Sequence, residues 1–354
     1  MRDNRFALAS FDLTAADEAT YRAMYALSVR LQQERTPQDP PLSLAAMVAD
    51  WQNVPSFARF FCWAVWDEAH ERMLARADLA VFDMASNQHA GQFRIGVDPD
   101  YRRQGLGRAL LAAVADATAA TGRRLLITDT TEQVPAGAAF MTRIGATPGM
   151  SSHTNQLDLA ELDHELLARW QAQGRERAAG FELLLWRNEY PAGELPAFTE
   201  LVAVMNQAPI DDLDVEDFVM TPDHVQQMLA SVLVSGHQVR TMVAREQASG
   251  KFAGFTEVHW HPDRPGLLYQ GNTGVLEAYR GRGLGRWLKA AMLREVLQEW
   301  PELRYVRTGN ADSNAAMLKI NYELGFKPYR SQTIWQVGLA QVQAYLAGDA
   351  GRSA

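Results

Sequence analysis

The chain has 354 residues, of which 47% are hydrophobic and 21% are charged, and its formal net charge at pH 7 is −8. This length predicts about two domains, and the composition is ordinary for a protein with packed cores. The acidic balance argues against a general nucleic-acid-binding or membrane-surface protein, because those classes usually carry a basic face. It is compatible with a cationic amine substrate.

The cysteine content and the N-terminus exclude further classes. Cys62 is the single cysteine, so the chain has no internal disulfide, and the eight histidines show no metal-binding spacing. The stretch from Met1 to Phe6 lacks an apolar signal region, and no apolar run reaches the roughly 18 residues of a membrane span. We therefore expect a cytoplasmic protein without a metal.

The predicted elements of the first half mix strands and helices. Apolar runs and period-two alternation indicate strands, whereas apolar spacings of three and four indicate helices. Strands are predicted at 5–11, 60–66, 74–82, 91–97 and 124–128. Helices are predicted at 14–32, 43–51 and 105–121, with a further short helix that ends near Gly145.

The second half begins again with a strand after a polar stretch. Residues 159–170 have helical spacing, and we interpret 161–180 as a linker helix between domains at 1–160 and 181–354. Strands are predicted at 181–186, 239–245, 252–260, 267–276, 305–308 and 334–337. Helices are predicted at 197–205, 222–234 and 313–324, and Thr221 is a suitable N-cap for the second of them.

A glycine-rich loop follows the strand that ends at Leu276. Gly281, Gly283 and Gly285 precede an amphipathic helix, and three arginines lie among them. A loop of this kind allows a ligand to approach the backbone, and the helix start offers unpaired N–H groups to an anion. The pattern predicts a pyrophosphate cradle, with a tight turn whose glycines serve geometry alone as the alternative.

Two better-known phosphate loops do not fit. The Walker pattern requires Gly-Lys followed by Ser or Thr, and no such triplet follows Gly285. The dinucleotide pattern requires a glycine or alanine where Leu110 and Leu288 stand.

The glycine-rich pattern occurs twice in the chain. Val97, Tyr101, Arg102, Gly105, Gly107 and Arg108 are repeated as Val275, Tyr279, Arg280, Gly283, Gly285 and Arg286. Further along, Gly145, Pro148, Ser151, Gln156 and Leu159 are repeated as Gly325, Pro328, Ser331, Gln336 and Leu339. A repeat of this length predicts a duplicated domain rather than a solenoid.

The order Arg280-x-x-Gly283-x-Gly285 resembles the coenzyme A loop of the GCN5-related N-acetyltransferases (GNAT). The resemblance implies an α/β fold with a mixed sheet, built as two tandem acyl-CoA N-acyltransferase domains, and acetyl-CoA as the cofactor. In the second half it implies cofactor contacts from Val275, Leu276, Glu277, Arg280, Gly281, Arg282, Gly283, Leu284, Gly285 and Arg286. In the first half it implies contacts from Val97, Arg102, Arg103, Gln104, Gly105, Leu106, Gly107 and Arg108.

A later stretch of the second half also resembles the family. Asn314 lies before a Leu-Gly-Phe that ends at Phe326, and the resemblance implies that this asparagine helps to hold the cofactor. Its alternative role is that of a helix cap. Many members place a tyrosine seven residues after the asparagine to protonate the departing thiolate. Here Asn321 occupies that position and Tyr322 follows it, a rotation of roughly 100° on a helix, so Tyr322, Asn321 and water stay open as the acid.

Acetyl transfer to an amine requires a neutral nucleophile, so a base is useful. In the family this base is often a glutamate on the strand before the cofactor strand. Glu257 is on such a strand, where alternation places it on the same face as His259. We expect Glu257 to be the base, with a surface salt bridge as its alternative and with His259 and His261 as further candidates.

The first half lacks most of these residues. Val134, Met141 and Thr142 stand where Asn314, Asn321 and Tyr322 stand in the second half, and Asp78 or Leu79 falls near the Glu257 position. An intact loop without catalytic partners suggests a silent or regulatory domain.

The two-domain layout resembles tandem acetyltransferases such as mycothiol synthase, in which the C-terminal domain carries the reaction. No residue pattern defines a mycothiol-precursor pocket. We therefore predict an acetyl-CoA-dependent N-acetyltransferase that acts on a primary amine of a small molecule, a monomer whose two domains form a pseudo-dimer. The alternatives are a non-catalytic acyl-CoA sensor or scaffold and an enzyme that uses a longer acyl-CoA.

Overall fold

A computed structural model describes residues 6–348 of the chain. Within this range the strands are β1 (Ala7–Phe11), β2 (Ala58–Trp66), β3 (Met73–Phe82), β4 (Ala90–Val97), β5 (Leu125–Thr131), β6 (Thr147–Asp158), β7 (Phe181–Arg187), β8 (Gln238–Glu246), β9 (Phe252–Trp260), β10 (Leu267–Val275), β11 (Tyr305–Ala311) and β12 (Lys327–Gly338). The α-helices are α1 (Glu18–Arg35), α2 (Leu44–Gln52), α3 (Leu106–Ala120), α4 (Pro135–Arg143), α5 (His164–Arg177), α6 (Leu195–Val202), α7 (Pro222–Val234), α8 (Leu284–Glu299), α9 (Ala315–Glu323) and α10 (Leu339–Gly348). The mixed α/β fold predicted from the sequence is confirmed.

Most predicted elements lie where the sequence places them. The strand at 252–260 and the helix at 222–234 have the predicted bounds, and Thr221 caps that helix by accepting from the His224 N–H. The predicted helix at 197–205 is divided, because a 3₁₀ helix at Ala203–Gln207 follows α6. The sequence analysis missed β6 and α10, and it recognised only the end of β12. Residue 5, where the first strand was predicted to begin, lies outside the described residues.

The described residues form two compact units, and neither unit corresponds to one half of the sequence. Unit 1 consists of 6–151, 210–217 and 332–348, whereas unit 2 consists of 152–209 and 218–331. The domain boundaries predicted from the sequence, at 160 and 180, instead follow the limits of the sequence repeat. The helix expected as a linker is present as α5, and it packs on α8 inside unit 2.

Each unit contains a six-stranded sheet that takes its last strand from the other half of the sequence. In unit 1 the order is β1-β2-β3-β4-β5-β12, and residues 332–338 of β12 run antiparallel to β5. In unit 2 the order is β7-β8-β9-β10-β11-β6, and residues 152–158 of β6 run antiparallel to β11. Trp335 and Val337 are buried in the core of unit 1, and Leu157 is buried in the core of unit 2. The exchanged strands are therefore part of the two cores.

The two parallel strands of each sheet separate soon after they meet. In unit 2, β10 pairs with β11 only over Leu267 to Tyr269, although β10 continues to Val275. In unit 1, β4 pairs with β5 only over Ala90 to Gln92. Beyond these points each sheet has a gap between neighbouring strands, and a glycine-rich loop followed by α3 or α8 starts beside it.

The core of unit 2 encloses a lysine. Lys289 on α8 is only 2% exposed, and no residue among 6–348 forms a hydrogen bond or ion pair with its ammonium group. The Nζ atom lies 6.0 Å from the centre of the Phe326 ring. Burial lowers the pKa of Lys289 to about 7. The corresponding residue of unit 1 is the fully buried Leu111.

We predict that Lys289→Leu stabilises the protein at neutral pH. An unfolded lysine has a pKa near its ordinary 10.5, so between pH 7 and that value the unfolded chain binds a proton that the folded chain does not. The free energy of unfolding of the natural chain should therefore rise with pH across this window. The variant should gain up to a few kcal/mol at pH 7, since each pKa unit corresponds to about 1.4 kcal/mol.

Thermal unfolding of both proteins from pH 6 to 10 tests this prediction. The gain should shrink as the pH rises, and Lys319→Leu, which replaces an exposed lysine of α9, should not show this trend. A Lys289→Leu protein that is less stable at every pH would contradict the assignment of a costly buried ammonium.

Candidate active site

The loop before α8 leaves the start of that helix open to a ligand. Gly281 and Gly283 adopt the left-handed conformation, with φ of 78° and 83°, which a glycine tolerates without strain. Gly283 is the N-cap residue and offers no side chain to the first turn. Within the described part of the chain, the N–H groups of residues 284–286 have no acceptor. A helix start with free N–H groups and a positive dipole end is suited to a phosphate.

Space around the loop agrees with this assignment. A Cβ atom at Gly283 would meet nothing within 4 Å, and one at Gly285 would lie 3.6 Å from Ile320, an ordinary contact. The region in front of the helix start is therefore not filled by the protein. Leu284 is the first residue of α8 and is buried beneath the loop.

The arginines of this loop hold it in place. Arg280 donates from Nε to the Val275 carbonyl at 3.1 Å and also contacts Gln207. Arg282 lies over the rings of two aromatic residues, and Arg286 pairs with a glutamate at 2.7 Å and lies over a tryptophan. The aromatic partners of Arg282 are Phe181 and Tyr279, and the partners of Arg286 are Glu323 and Trp170. Glu323 thus compensates the charge of Arg286, whereas Arg280 and Arg282 keep positive charge close to the helix start.

The loop of unit 1 has the same construction with two differences. Gly105 caps α3 with φ of 85°, but Arg103 adopts φ of 64° where the second loop has Gly281. Arg102 again donates to the strand carbonyl, from Nε to Val97 at 3.3 Å, but its other nitrogens bind the Glu34 carboxylate at 2.7 Å and 2.5 Å. Glu34 thus neutralises an arginine whose counterpart in unit 2 contacts the uncharged Gln207.

Other residues of the first loop contact the protein itself. Arg108 donates to the Leu346 carbonyl and lies over the Tyr345 ring, both in α10. Gln104 donates to the Asp100 carbonyl at 3.4 Å. Leu106 is buried, and a Cβ at Gly107 would have only ordinary contacts, the nearest at 3.9 Å from Phe140.

The strand before the second loop directs one N–H group into the gap beside β11. The Leu276 N–H is occupied, since it donates to the Ala253 carbonyl at 2.9 Å. Successive residues of a strand direct their N–H groups to opposite sides, so the Val275 N–H points away from β9. The Val275 N–H therefore faces the side where β10 and β11 have separated. Glu277, which begins the 3₁₀ helix after the strand, is exposed.

Glu257 lies on β9 among three hydrogen-bond donors. The Tyr190 hydroxyl donates to Oε2 at 2.7 Å, and the Thr241 hydroxyl donates to the same oxygen at 2.9 Å. Nε2 of His259 lies 3.0 Å from Oε1. Sequence reasoning missed Tyr190 and Thr241, although a threonine within the apolar strand β8 was a usable signal.

These contacts fix the charge of Glu257. Burial opposes ionisation, but the hydrogen bond and charge of His259, together with the two hydroxyls, outweigh it and lower the pKa of Glu257 below its ordinary value. Burial and the Glu257 charge raise the pKa of Tyr190, which remains a donor. The site therefore holds a carboxylate at neutral pH that is bonded to an imidazole.

His259 and His261 have different surroundings. His259 lies beside a bulge of β10, and a Cβ at Gly271 would be 3.3 Å from its Nε2. His261 is buried, with Nε2 2.9 Å from the Ser235 carbonyl and Nδ1 accepting from the Asp263 N–H at 3.0 Å. Because backbone groups occupy both of its nitrogens, His261 has a structural role.

Unit 1 has an aspartate at the position of Glu257. Val97 pairs with Ala75 as its repeat Val275 pairs with Gly254, and the residues three positions further along β3 and β9 are Asp78 and Glu257, which favours Asp78 over Leu79. Asp78 accepts from Arg76 at 3.1 Å. Unit 1 thus has a carboxylate paired with a guanidinium where unit 2 has one bonded to hydroxyls and an imidazole.

The later motif of unit 2 lies around α9. Asn314 caps this helix by accepting from the Met317 N–H at 3.2 Å, which is the alternative role considered for it. Asn321 is fully buried and donates to Asn310 on β11 at 2.7 Å. Tyr322 is 48% exposed. Asn321, at the position where many family members have a tyrosine, therefore lies inside the protein, and Tyr322 lies at its surface.

Family models match both repeats. A model described as "Acetyltransferase (GNAT) domain" matches residues 59–145, and one described as "Acetyltransferase (GNAT) family" matches residues 210–326. The chain belongs to the GNAT acetyltransferases. It is a tandem member, since the two matches cover separate repeats. This confirms the family resemblance drawn from the glycine-rich loops.

Solved structures agree with this tandem GNAT assignment. A tandem GNAT protein from the clavulanic acid biosynthesis pathway, solved without AcCoA, is 26% identical with a TM-score of 0.77, over 94% of this chain and 99% of that one. A GCN5-related N-acetyltransferase from Sphaerobacter thermophilus is 15% identical with a TM-score of 0.66, over 95% and 96%. A glucosamine N-acetyltransferase region of a fungal β-N-acetylglucosaminidase is 14% identical with a TM-score of 0.65, over 94% and 38%.

Among curated proteins, none matches the sequence of this tandem GNAT chain. Between residues 6 and 348, no helix has both the length and the apolar character needed to cross a membrane.

Proposed function

We propose that the protein is an acetyl-CoA-dependent N-acetyltransferase that acetylates a primary amine of a small molecule by direct attack, with the chemistry in unit 2. The observation that carries this proposal is the presence, in one unit, of a helix start with free N–H groups and a partly buried carboxylate–imidazole pair. The family supports acyl-CoA N-acyltransfer in general. The choice of unit, donor and acceptor rests on the residues described above.

The cofactor would bind along the gap and the loop of unit 2. The free N–H groups of residues 284–286 would hold the pyrophosphate, with Arg280 and Arg282 adding positive charge nearby. Acetyl-CoA, when bound, supplies an activated acetyl thioester. The Val275 N–H faces the gap and is suited to polarise the thioester carbonyl, because a fixed donor stabilises the negative charge that develops there. Asn314 would support this arrangement by setting the start of α9.

Glu257 would take the proton from the attacking amine, directly or through a water molecule. Because its pKa is lowered, Glu257 is ionised at neutral pH and available as a proton acceptor. Nε2 of His259, 3.0 Å from Oε1, holds one of its oxygens in place. Tyr190 and Thr241 would keep the Glu257 carboxylate in one orientation. The thiolate would then receive its proton from Tyr322 or water, since Asn321 is committed to Asn310.

Unit 1 would bind coenzyme A weakly and perform no transfer. Its helix start is open, but Glu34 compensates the charge of Arg102, and Asp78 is paired with Arg76. Among the described residues, these two contacts are not repeated at the corresponding positions of unit 2, where Glu323 pairs with Arg286 instead. The asymmetry supports a silent or regulatory role for this copy.

A non-catalytic sensor or scaffold is the second candidate. The exposed Tyr322 favours it, since this side chain is out of register with the usual acid. An enzyme that uses a longer acyl-CoA is a third. A screen of amine acceptors that follows the release of free thiol from acetyl-CoA separates the candidates, because a sensor releases no thiol with any acceptor. Repeating the screen with longer acyl-CoA donors identifies a long-chain enzyme, which releases more thiol from them.

We predict that Glu257→Gln lowers turnover by about 10²–10⁴ and leaves acetyl-CoA affinity nearly unchanged. The amide keeps the shape and can still meet the hydroxyls, but it cannot accept the amine proton. Thiol release at saturating acceptor gives turnover, and calorimetry gives affinity. Asp78→Asn is the matched control in unit 1 and should change turnover by less than about threefold. Near-normal turnover of Glu257→Gln from pH 6 to 9 would disprove the assignment.

We also predict unequal effects of the same change in the two loops. A carboxylate at Gly285 or Gly107 fits the space beside each helix but repels the pyrophosphate. Gly285→Asp should abolish acetyl transfer, whereas Gly107→Asp should retain most of it and at most remove a second, weaker acetyl-CoA site seen by calorimetry. Circular dichroism must show that both variants are folded. A folded Gly107→Asp protein without activity would place an essential function in unit 1.

A further inference from the structure

Three residues of unit 2, outside the candidate active site, form a continuous chain of hydrogen bonds. The Ser331 hydroxyl lies 2.9 Å from Nε2 of His153. Nδ1 of the same imidazole lies 2.6 Å from a carboxylate oxygen of Asp312. A hydroxyl, an imidazole and a carboxylate in this order are the components of a serine nucleophile with its base and orienting group.

The carboxylate determines the direction of these hydrogen bonds. An ionised carboxylate can only accept, so Nδ1 of His153 must donate to Asp312. In a neutral imidazole the other nitrogen is then an acceptor, and the Ser331 hydroxyl donates to it. The Ser331 proton therefore points at the atom that would remove it, which is the arrangement that activates a serine.

The three side chains are accessible to a ligand. His153 is on β6, Asp312 immediately follows β11, and Ser331 is on β12. The side chain of His153 is 33% exposed and that of Asp312 is 42% exposed, and Ser331 is partly buried.

Unit 1 shows that the fold does not require this chain of bonds. Ser151 is the counterpart of Ser331, but Thr333 stands at the position of His153 and Glu132 at that of Asp312. A threonine cannot act as the base. Of the two units, unit 2 alone therefore combines a serine with an imidazole and a carboxylate at these positions.

The surroundings indicate which electrophile would be attacked. Asp312 lies two residues before Asn314, the cap of α9, and His153 is opposite Asn310 on β11. This end of β11 borders the gap in which the proposed function places an acyl thioester. An activated acyl carbonyl, in an ester or a thioester, is the electrophile that a serine of this kind attacks.

We propose that Ser331, His153 and Asp312 form a second acyl-transfer centre. The Ser331 oxygen forms a bond to the acyl carbon, and the bond from that carbon to the leaving oxygen or sulfur breaks. His153 takes the serine proton and passes it to the leaving group, which departs as an alcohol or a thiol. Water then cleaves the acyl-serine ester with His153 as the base, which releases the carboxylic acid and restores Ser331.

Reaction of the full chain with p-nitrophenyl acetate tests this proposal. The expected result is a burst of p-nitrophenolate close to one equivalent, with the acetyl group on Ser331 in peptide mass spectrometry. Ser331→Ala should remove the burst, and Asp312→Asn should slow it by about tenfold or more, because the imidazole loses its orienting charge. Ser151→Ala is the matched control and should leave the burst unchanged. The assay uses neither coenzyme A nor an amine, so its outcome is independent of the proposed function.

Incubation with acetyl-CoA in place of the ester identifies the acyl source. Acetylation of Ser331 by both reagents assigns a thioester as well as an ester substrate, and acetylation by the ester alone assigns an esterase. If Ser331→Ala does not fold, Ser331→Cys retains a nucleophile at the same place and should carry the acetyl group instead. A normal burst in folded Ser331→Ala, or acetyl groups found only on other residues, would overturn the proposal.

Discussion

The free backbone N–H groups at the start of α8 are the feature on which the candidate site depends. They are available because two glycines in left-handed conformation allow the chain to turn from β10 into the helix without a capping side chain. The separation of β10 from β11 leaves the Val275 N–H facing a gap. Arg280 and Arg282, held by a carbonyl and by aromatic rings, keep positive charge near the loop. A backbone arrangement of this kind binds an anionic group with little reorganisation.

Duplication retained this backbone in unit 1 and changed the charges around it. Both units have a glycine N-cap, an arginine bonded to the strand carbonyl and strands that separate after three paired residues. In unit 1 an acidic side chain neutralises that arginine, and Asp78, the carboxylate that corresponds to Glu257, is bound to Arg76. In unit 2 the corresponding carboxylate, Glu257, has two hydroxyls and an imidazole. The two copies therefore differ in electrostatics more than in shape.

The sequence alone predicted the features that depend on local chemistry. The glycine-rich loops, the helices that follow them and Glu257 could be placed because their signals lie within short stretches of the chain. Tyr190 and Thr241 could not be assigned to Glu257, because their contact depends on the order of β7, β8 and β9 in the sheet. Strand β6 escaped notice because it is mostly polar, so its alternation is weak, and strand pairing depends on distant partners. The exchange of the last strands between the two halves of the sequence follows from the same non-local pairing.

Amide hydrogen exchange of the full chain, with and without acetyl-CoA, tests the central claim most directly. If the cofactor occupies the loop of unit 2, exchange should slow at residues 281–287 and at the end of β10, with a smaller effect at 103–109. The free N–H groups would acquire acceptors there, and exchange reports such protection by peptide segment. Slowed exchange confined to 103–109, with none at 281–287, would contradict the account and place the functional cofactor site in unit 1.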